Sequence, residues 1–334
     1  SRCRGPRAAP AGDICVDSVV RCICWALSCL GMTICASVLQ AQVSPSGLPV
    51  TGSPAAIGYA GGGAAAAGDP ARASEFTALL ALQTRSSLFG TISLGAEGID
   101  TRSYSIGAAT GLSSSLKLGL LSRWREVENL IEDPAVAESG LRVGDWELHL
   151  GLAQSLAGKR LVLAGSAAYT RSTILGTSGA LASLGASALM VPASRLRLLL
   201  AVDGLGPATR YTDAAGAIRH TAQLRRWRGS AAVRLLRLAL VEQRLYVDYE
   251  RTTLAARSEM LAVAMDAGIG SLLVLRAGLA WRRDIDAGSG WGRSLGAGFQ
   301  VHVSSLVFDY GYAASLPRDD LAPRHHFGIS WLRP

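Results

Sequence analysis

The chain has 334 residues, 49% hydrophobic and only 17% charged, with 38 glycines and a formal net charge of +8. That charge is almost wholly arginine and is spread along the chain, which argues against a nucleic-acid partner. One uncharged, predominantly apolar run of eighteen residues stands out, at 22–39, and a helical membrane protein with several such spans is excluded.

That run follows Arg21 and precedes Gln40 and Ala41, the layout of a signal peptide with a positive start, an apolar centre and a small residue at the exit. Residues 1–41 are therefore expected to be a leader and signal peptide that direct export. All six cysteines (Cys3, Cys15, Cys22, Cys24, Cys29, Cys35) fall in this part. The body of the chain then has no disulfide framework, no Cys-ligated metal and no thiol nucleophile.

Residues 42–86 differ in character. They hold Pro45, Pro49, Pro54 and Pro70 and the tract Ala55-Ala56-Ile57-Gly58-Tyr59-Ala60-Gly61-Gly62-Gly63-Ala64. Two readings stay open. One is a flexible linker. The other is a plug folded into a barrel mouth, helped by the short apolar run 76–82. No Gly-Lys-Ser/Thr follows the glycines, which argues against a phosphate-binding loop.

From Leu88 onward the sequence alternates with the period of a strand, which turns successive side chains to opposite faces. Tyr104, Ile106, Ala108 and Leu112 oppose Ser103, Ser105, Gly107, Ala109 and Gly111. Leu116, Leu118, Leu120 and Trp124 oppose Lys117, Gly119 and Arg123, and Trp146, Leu148, Leu150 and Leu152 oppose Glu147, His149, Gly151 and Ala153. Further strands are predicted at 88–97, 159–171, 180–192, 195–205, 223–235, 237–249 and 258–267. Next come Leu273, Leu275, Ala277, Leu279 and Trp281 against Arg276, Gly278, Ala280 and Arg282. Leu295, Ala297, Phe299, Val301 and Val303 then oppose Ser294, Gly296, Gly298, Gln300 and His302. Leu306, Phe308, Tyr310 and Tyr312 interleave with Val307, Asp309 and Gly311. The final run sets Phe327, Ile329 and Trp331 against His326, Gly328 and Ser330.

Runs of about ten residues are the length a tilted strand needs to cross a bilayer core. A soluble sandwich packed on one face shares the alternation. Three features favour the membrane: aromatics at run ends (Trp281, Tyr310, Tyr312, Trp331), a small or polar opposite face, and a last run similar to the C-terminal assembly signal of outer-membrane barrels. The expected fold is all-β, a transmembrane antiparallel β-barrel of about 14 strands over 87–334, with a short N-terminal plug. Residues 126–144 and 206–221 form long polar connections, expected on the extracellular side, and short turns such as Ala157-Gly158-Lys159 are expected in the periplasm.

Several strand patterns resemble the PorV/PorQ family. They are Ser294-Leu295-Gly296-Ala297-Gly298-Phe299, Leu306-Val307-Phe308-Asp309-Tyr310-Gly311-Tyr312 and His325-His326-Phe327-Gly328-Ile329-Ser330. Leu275-Arg276-Ala277-Gly278 and Leu200-Ala201-Val202-Asp203-Gly204-Leu205-Gly206-Pro207 join them, the latter with Asp-Gly where the family has Asn. The match is strongest over 270–330, and the family's Asn-Pro-Ala element is replaced by Ser74-Glu75-Phe76-Thr77. The resemblance implies a FadL-like fourteen-stranded barrel in the outer membrane of a Gram-negative-type (diderm) bacterium. It implies a protein secretion or surface-attachment component of type IX kind, with exported proteins or secretion-system subunits as partners. The wider FadL group implies the alternative, a channel for uptake of small hydrophobic ligands.

No catalytic constellation emerges: His325 and His326 face opposite ways, and no nucleophile motif accompanies a Ser, His and Asp set. The expectation is a non-enzyme with no cofactor and no metal, in contact with outer-membrane lipid. The candidate lumen-facing residues are Lys117, Arg123, Glu147, His149, Arg276, Arg282, His302 and Asp309. They read either as a wet, salt-bridged interior or as the lining for a passing solute. On this register Leu275→Arg costs roughly 2–4 kcal/mol at the midplane, and Arg276→Leu much less.

Overall fold

A computed structural model describes residues 53–66, 68–94, 100–128, 143–174, 177–207, 209–212, 218–221, 225–253, 257–285, 290–316 and 324–333. The expected signal peptide, residues 42–52 and most of the connection after Glu128 lie outside them. The strands, in chain order, are β1 (Ser87–Leu94), β2 (Asp100–Gly111), β3 (Leu116–Glu128), β4 (Val143–Leu156), β5 (Leu161–Ile174), β6 (Thr177–Ala193), β7 (Leu196–Leu205), β8 (Thr209–Thr212), β9 (Ile218–Thr221), β10 (Arg225–Arg237), β11 (Val241–Thr253), β12 (Ser258–Ile269), β13 (Leu273–Asp284), β14 (Gly292–Val303), β15 (Leu306–Leu316) and β16 (Arg324–Leu332).

Fourteen of these close into one antiparallel barrel, with β1 paired to β16 and β7 paired directly to β10. Closure leaves the barrel wall no free edge, so the backbone of every wall strand has neighbours on both sides, as a hydrocarbon surrounding demands. The period-2 pattern sorts the wall: Tyr104, Ile106, Leu120, Leu148, Leu150, Leu152, Phe299, Phe327 and Ile329 are exposed outside, while Ser103, Ser105, Ala153, Ser294, Gln300 and His326 are buried within.

Two boundaries differ from the sequence expectation. The connection 206–221 holds the β8–β9 hairpin, which adds to the upper end of β6 through Ser178–Ala180. Its four-residue arms are too short for alternation to stand out. The polar stretch from Glu126 belongs partly to β3, because Asp100 pairs with Glu128. The turns at one end of the barrel are all short, and the start of β1 and the end of β16 lie there; the longer connections gather at the other end, together with the two-residue link between β5 and β6.

Candidate functional site

The segment from Ser53 to Leu82 runs through the lumen as two short helices and a 3-10 turn, with its backbone and most side chains buried. Local signals set the helix starts. Helix α1 (Pro54–Gly58) has Ser53 as its cap and helix α2 (Pro70–Glu75) has Asp69, each followed by proline at the first helical position. Asp69 accepts from the Ala71 amide at 2.9 Å, and the Ser53 hydroxyl donates to the Asp69 carboxylate, tying the two starts together. The 3-10 turn (Thr77–Leu82) carries the apolar run that the sequence singles out.

Helix α1 packs on β13–β16 with its backbone. That approach needs glycine on the wall: a Cβ at Gly278 would stand 2.4 Å from the Tyr59 carbonyl, and one at Gly296 2.3 Å from the Ile57 oxygen. Beyond the helix, polar groups of β10–β12 take over. The amides of Gly63 and Ala64 donate to the two oxygens of Asp248 at 2.7 and 2.8 Å, and the Ala65 amide donates to Ser230 Oγ at 3.1 Å. The Tyr59 and Tyr246 hydroxyls both donate to Asp266 Oδ2, at 2.8 and 2.6 Å. Burial pushes the Tyr59 phenol well above its usual range and keeps it a donor. Arg72, itself fully buried, donates Nε to the Gly63 oxygen at 2.9 Å and lies over the Phe76 ring.

On the far side, α2 and the 3-10 turn meet β1–β6 mostly through side chains. Leu80 covers Gly119, Thr77 covers Gly151, and the Ala78 amide donates to Ser187 Oγ at 3.2 Å. Glu75 joins Arg123 at 3.0 Å, and Arg123 reaches Glu147 at 3.6 Å.

Above this plug, toward the longer connections, lies a cavity of about 470 Å³ floored by Ser74, Glu75 and Phe76 and walled by β3–β7 and β10. Its charged groups come largely as opposed pairs: Arg123 with Glu75 and Glu147, Arg125 with Asp145, Arg226 with Asp203, and Arg228 with Glu250. A second cavity of about 420 Å³ lies in the wall over β4–β7 and the start of the next connection, lined chiefly by apolar groups including Leu148, Leu150, Tyr169, Leu205 and Pro207. The two share Ala168, Ser183 and Leu184 as lining. There the β6–β7 ladder shifts register, since Leu184 opposes Leu205 but Ala186 opposes Val202. A bulge of this kind breaks the ladder locally.

Of the sequence candidates, Arg123, Glu147 and His149 come together in the upper cavity. Arg276, Asp309 and His302 form a separate group near the short-turn end. Arg276 Nη1 donates to Asp309 Oδ1 at 2.6 Å, Gln300 Nε2 donates to Asp309 Oδ2 at 3.0 Å, and Gln300 Oε1 lies 3.1 Å from His302 Nε2. Lys117 sits apart near the start of β3, beside Gly111, and Arg282 reaches the Met260 sulfur at 3.4 Å. The plug anchors Tyr59, Asp248, Asp266 and Arg72 are absent from the sequence candidates. A signal existed for Asp248, which occupies the inward phase of a strand whose neighbours Val247 and Tyr249 point out. His326 faces Ser93 inside at 2.7 Å while His325 meets Tyr310 at 2.9 Å, so the adjacent histidines do lie on opposite faces.

No protein-family model matches the chain, and no curated protein does. Among solved structures it is similar to the CymD monoaromatic hydrocarbon channel, with a TM-score of 0.60 at 11% identity over 86% of this chain and 98% of that one. A FadL homologue of Pseudomonas aeruginosa gives 0.56 at 11% identity over 85% and 98%. A deltaS2S3 mutant of the TodX monoaromatic hydrocarbon channel gives 0.50 at 9% identity over 77% and 92%. At such identities the likeness is one of fold: a FadL-like, outer-membrane type of barrel.

Proposed function

We propose that the protein is an outer-membrane channel for small hydrophobic compounds, which leave its lumen through the wall between β6 and β7. The observation that carries this reading is the pair of cavities backed on the same residues, Ala168, Ser183 and Leu184, where the wall ladder shifts. The plug blocks the straight path down the axis, so a solute that reaches the upper cavity needs a side exit. Such an exit serves only a solute that is stable beside lipid, because an apolar groove rejects a hydrated ion or sugar. The likeness in fold to monoaromatic hydrocarbon channels agrees with this. The secretion-component reading implied by the PorV/PorQ-like strands draws no support from those comparisons, and the channel reading takes precedence.

The wall position can be tested by stapling. Leu184 and Leu205 are cross-strand partners at the shift. A Leu184→Cys/Leu205→Cys variant, oxidised, is expected to lose uptake of a labelled monoaromatic probe in proteoliposomes and to regain it on reduction, while each single variant transports normally. Undiminished uptake by the oxidised double variant would overturn the side-exit reading.

A further inference from the structure

The outer face of β10–β13 carries an in-register row at its long-connection end. Trp227 opposes Arg251, Arg251 opposes Glu259, and Glu259 opposes Arg283. Arg251 stands ten positions beyond Val241, Glu259 ten before Ile269 and Arg283 ten beyond Leu273, the short-turn ends of their strands. A tilted strand crosses a hydrocarbon core in about 9–11 residues, so this row stands where acyl chains give way to headgroups. The row below it, Tyr249, Leu261 and Trp281, is aromatic and aliphatic.

Glu259 organises the charges. It accepts from Arg283 Nε at 2.9 Å and Nη2 at 2.6 Å, accepts from the Tyr249 hydroxyl at 3.1 Å, and lies 3.9 Å from Arg251 Nε. One carboxylate between two guanidiniums leaves a net positive charge. Arg251 and Arg283 keep 51% and 43% of their side-chain surface exposed. Each guanidinium has five donors in a planar fork, which suits a second oxyanion such as phosphate.

We infer that this face is a docking surface for a phosphorylated glycolipid of the outer leaflet, its phosphate on Arg251 and Arg283 and its acyl chains along Leu261 and Trp281. The longer connections of outer-membrane barrels are extracellular, which turns the row toward that leaflet. The inference rests on the outer-membrane reading and is independent of the cargo, so it survives or fails separately from the side exit.

The test is native mass spectrometry of the full-length barrel in detergent with bis-phosphorylated lipid A. The wild type is expected to retain the lipid. Arg251→Ala/Arg283→Ala weakens retention about 25-fold, at about fivefold for each arginine removed. Arg160→Ala, in a short turn at the opposite end, leaves it unchanged, and Glu259→Gln tightens it by removing the competing carboxylate. Three results would overturn the inference: equal retention by the double variant, equal loss in Arg160→Ala, or equal binding of phosphate-free lipid A or phosphatidylglycerol. Where heat-modifiable migration shows the double variant unfolded, Glu259→Gln decides. Tighter binding supports the site, and unchanged or weaker binding removes it.

Discussion

The plug meets two walls of the barrel in two different ways. Against β10–β16 it presents chiefly backbone: carbonyls of Ile57 and Tyr59 over Gly296 and Gly278, amides of Gly63 and Ala64 on Asp248, with the Tyr59 hydroxyl on Asp266 beside them. Against β3–β6 it presents mostly side chains, with Leu80 and Thr77 over Gly119 and Gly151 and a single amide, that of Ala78, on Ser187 among the hydrogen bonds described. A backbone seat has little slack, since a peptide plane cannot rotate away without losing its hydrogen bonds. A side-chain seat can shift through rotamers. The upper cavity and the register shift both border the strands of the second wall and those that follow it, β3–β7. One side of the barrel seats the plug on fixed peptide planes; the other seats it largely on side chains that have alternative rotamers.

The bluntest way to break this contrast is to remove the plug. Deleting residues 42–83 should raise single-channel conductance in planar bilayers severalfold and let small hydrophilic solutes pass. Unchanged conductance would mean that the segment is not the obstruction. A finer test compares anchors. Asp248→Ala strips a charged acceptor from two buried amides and should cost the seat about 2–4 kcal/mol, read as faster hydrogen exchange over residues 59–66. Ser187→Ala, which frees a single amide on the other wall, should cost about 1 kcal/mol or less. Equal effects would erase the distinction between the walls. The smallest probe is a methyl group. Gly278→Ala drives a Cβ into the Tyr59 backbone and should cost about 1–3 kcal/mol by overpacking. At Gly119 the added Cβ meets only the ends of the flexible Leu80 side chain, 2.9 Å away, and the expected loss in thermal melting is smaller.

Most of the wall was legible in the sequence because a strand of ten or more residues repeats its inside-outside pattern several times, as β14 does from Ser294 to Val303. A plug was one of two readings of its segment, but its seat was not legible, because its anchors are distant: Tyr59 and Asp266 are separated by 207 positions, and no local pattern links them. Of the candidate site, the inward phase of Arg123, Glu147 and His149 could be read, but not the plug-borne Glu75 that completes their group. The sequence also misjudges Arg276. As a merely lumen-facing residue it would tolerate leucine, but it is buried against Asp309. Arg276→Leu would strand that carboxylate and should cost about 3–5 kcal/mol, at least as much as Leu275→Arg on the lipid face. Urea unfolding of both variants in lipid vesicles ranks them.

The wall closes between β1 and β16, whose eight paired positions join the two ends of the described barrel. The plug immediately precedes β1, with only residues 83–86 between Leu82 and Ser87. Its chain crosses a lumen that does not exist as an enclosure until those two strands meet. A plug carried next to β1 has two routes to its seat: it is enclosed as the sheet curls, or it enters afterwards through the open mouth at the short-turn end. Late entry has to strip water from Arg72, Ser53 and Asp69 inside a finished lumen, whereas a curling sheet can wrap them as it closes. Assembly is then a matter of timing, because the slow pairing of distant strands gives the plug an interval in which to take its seat.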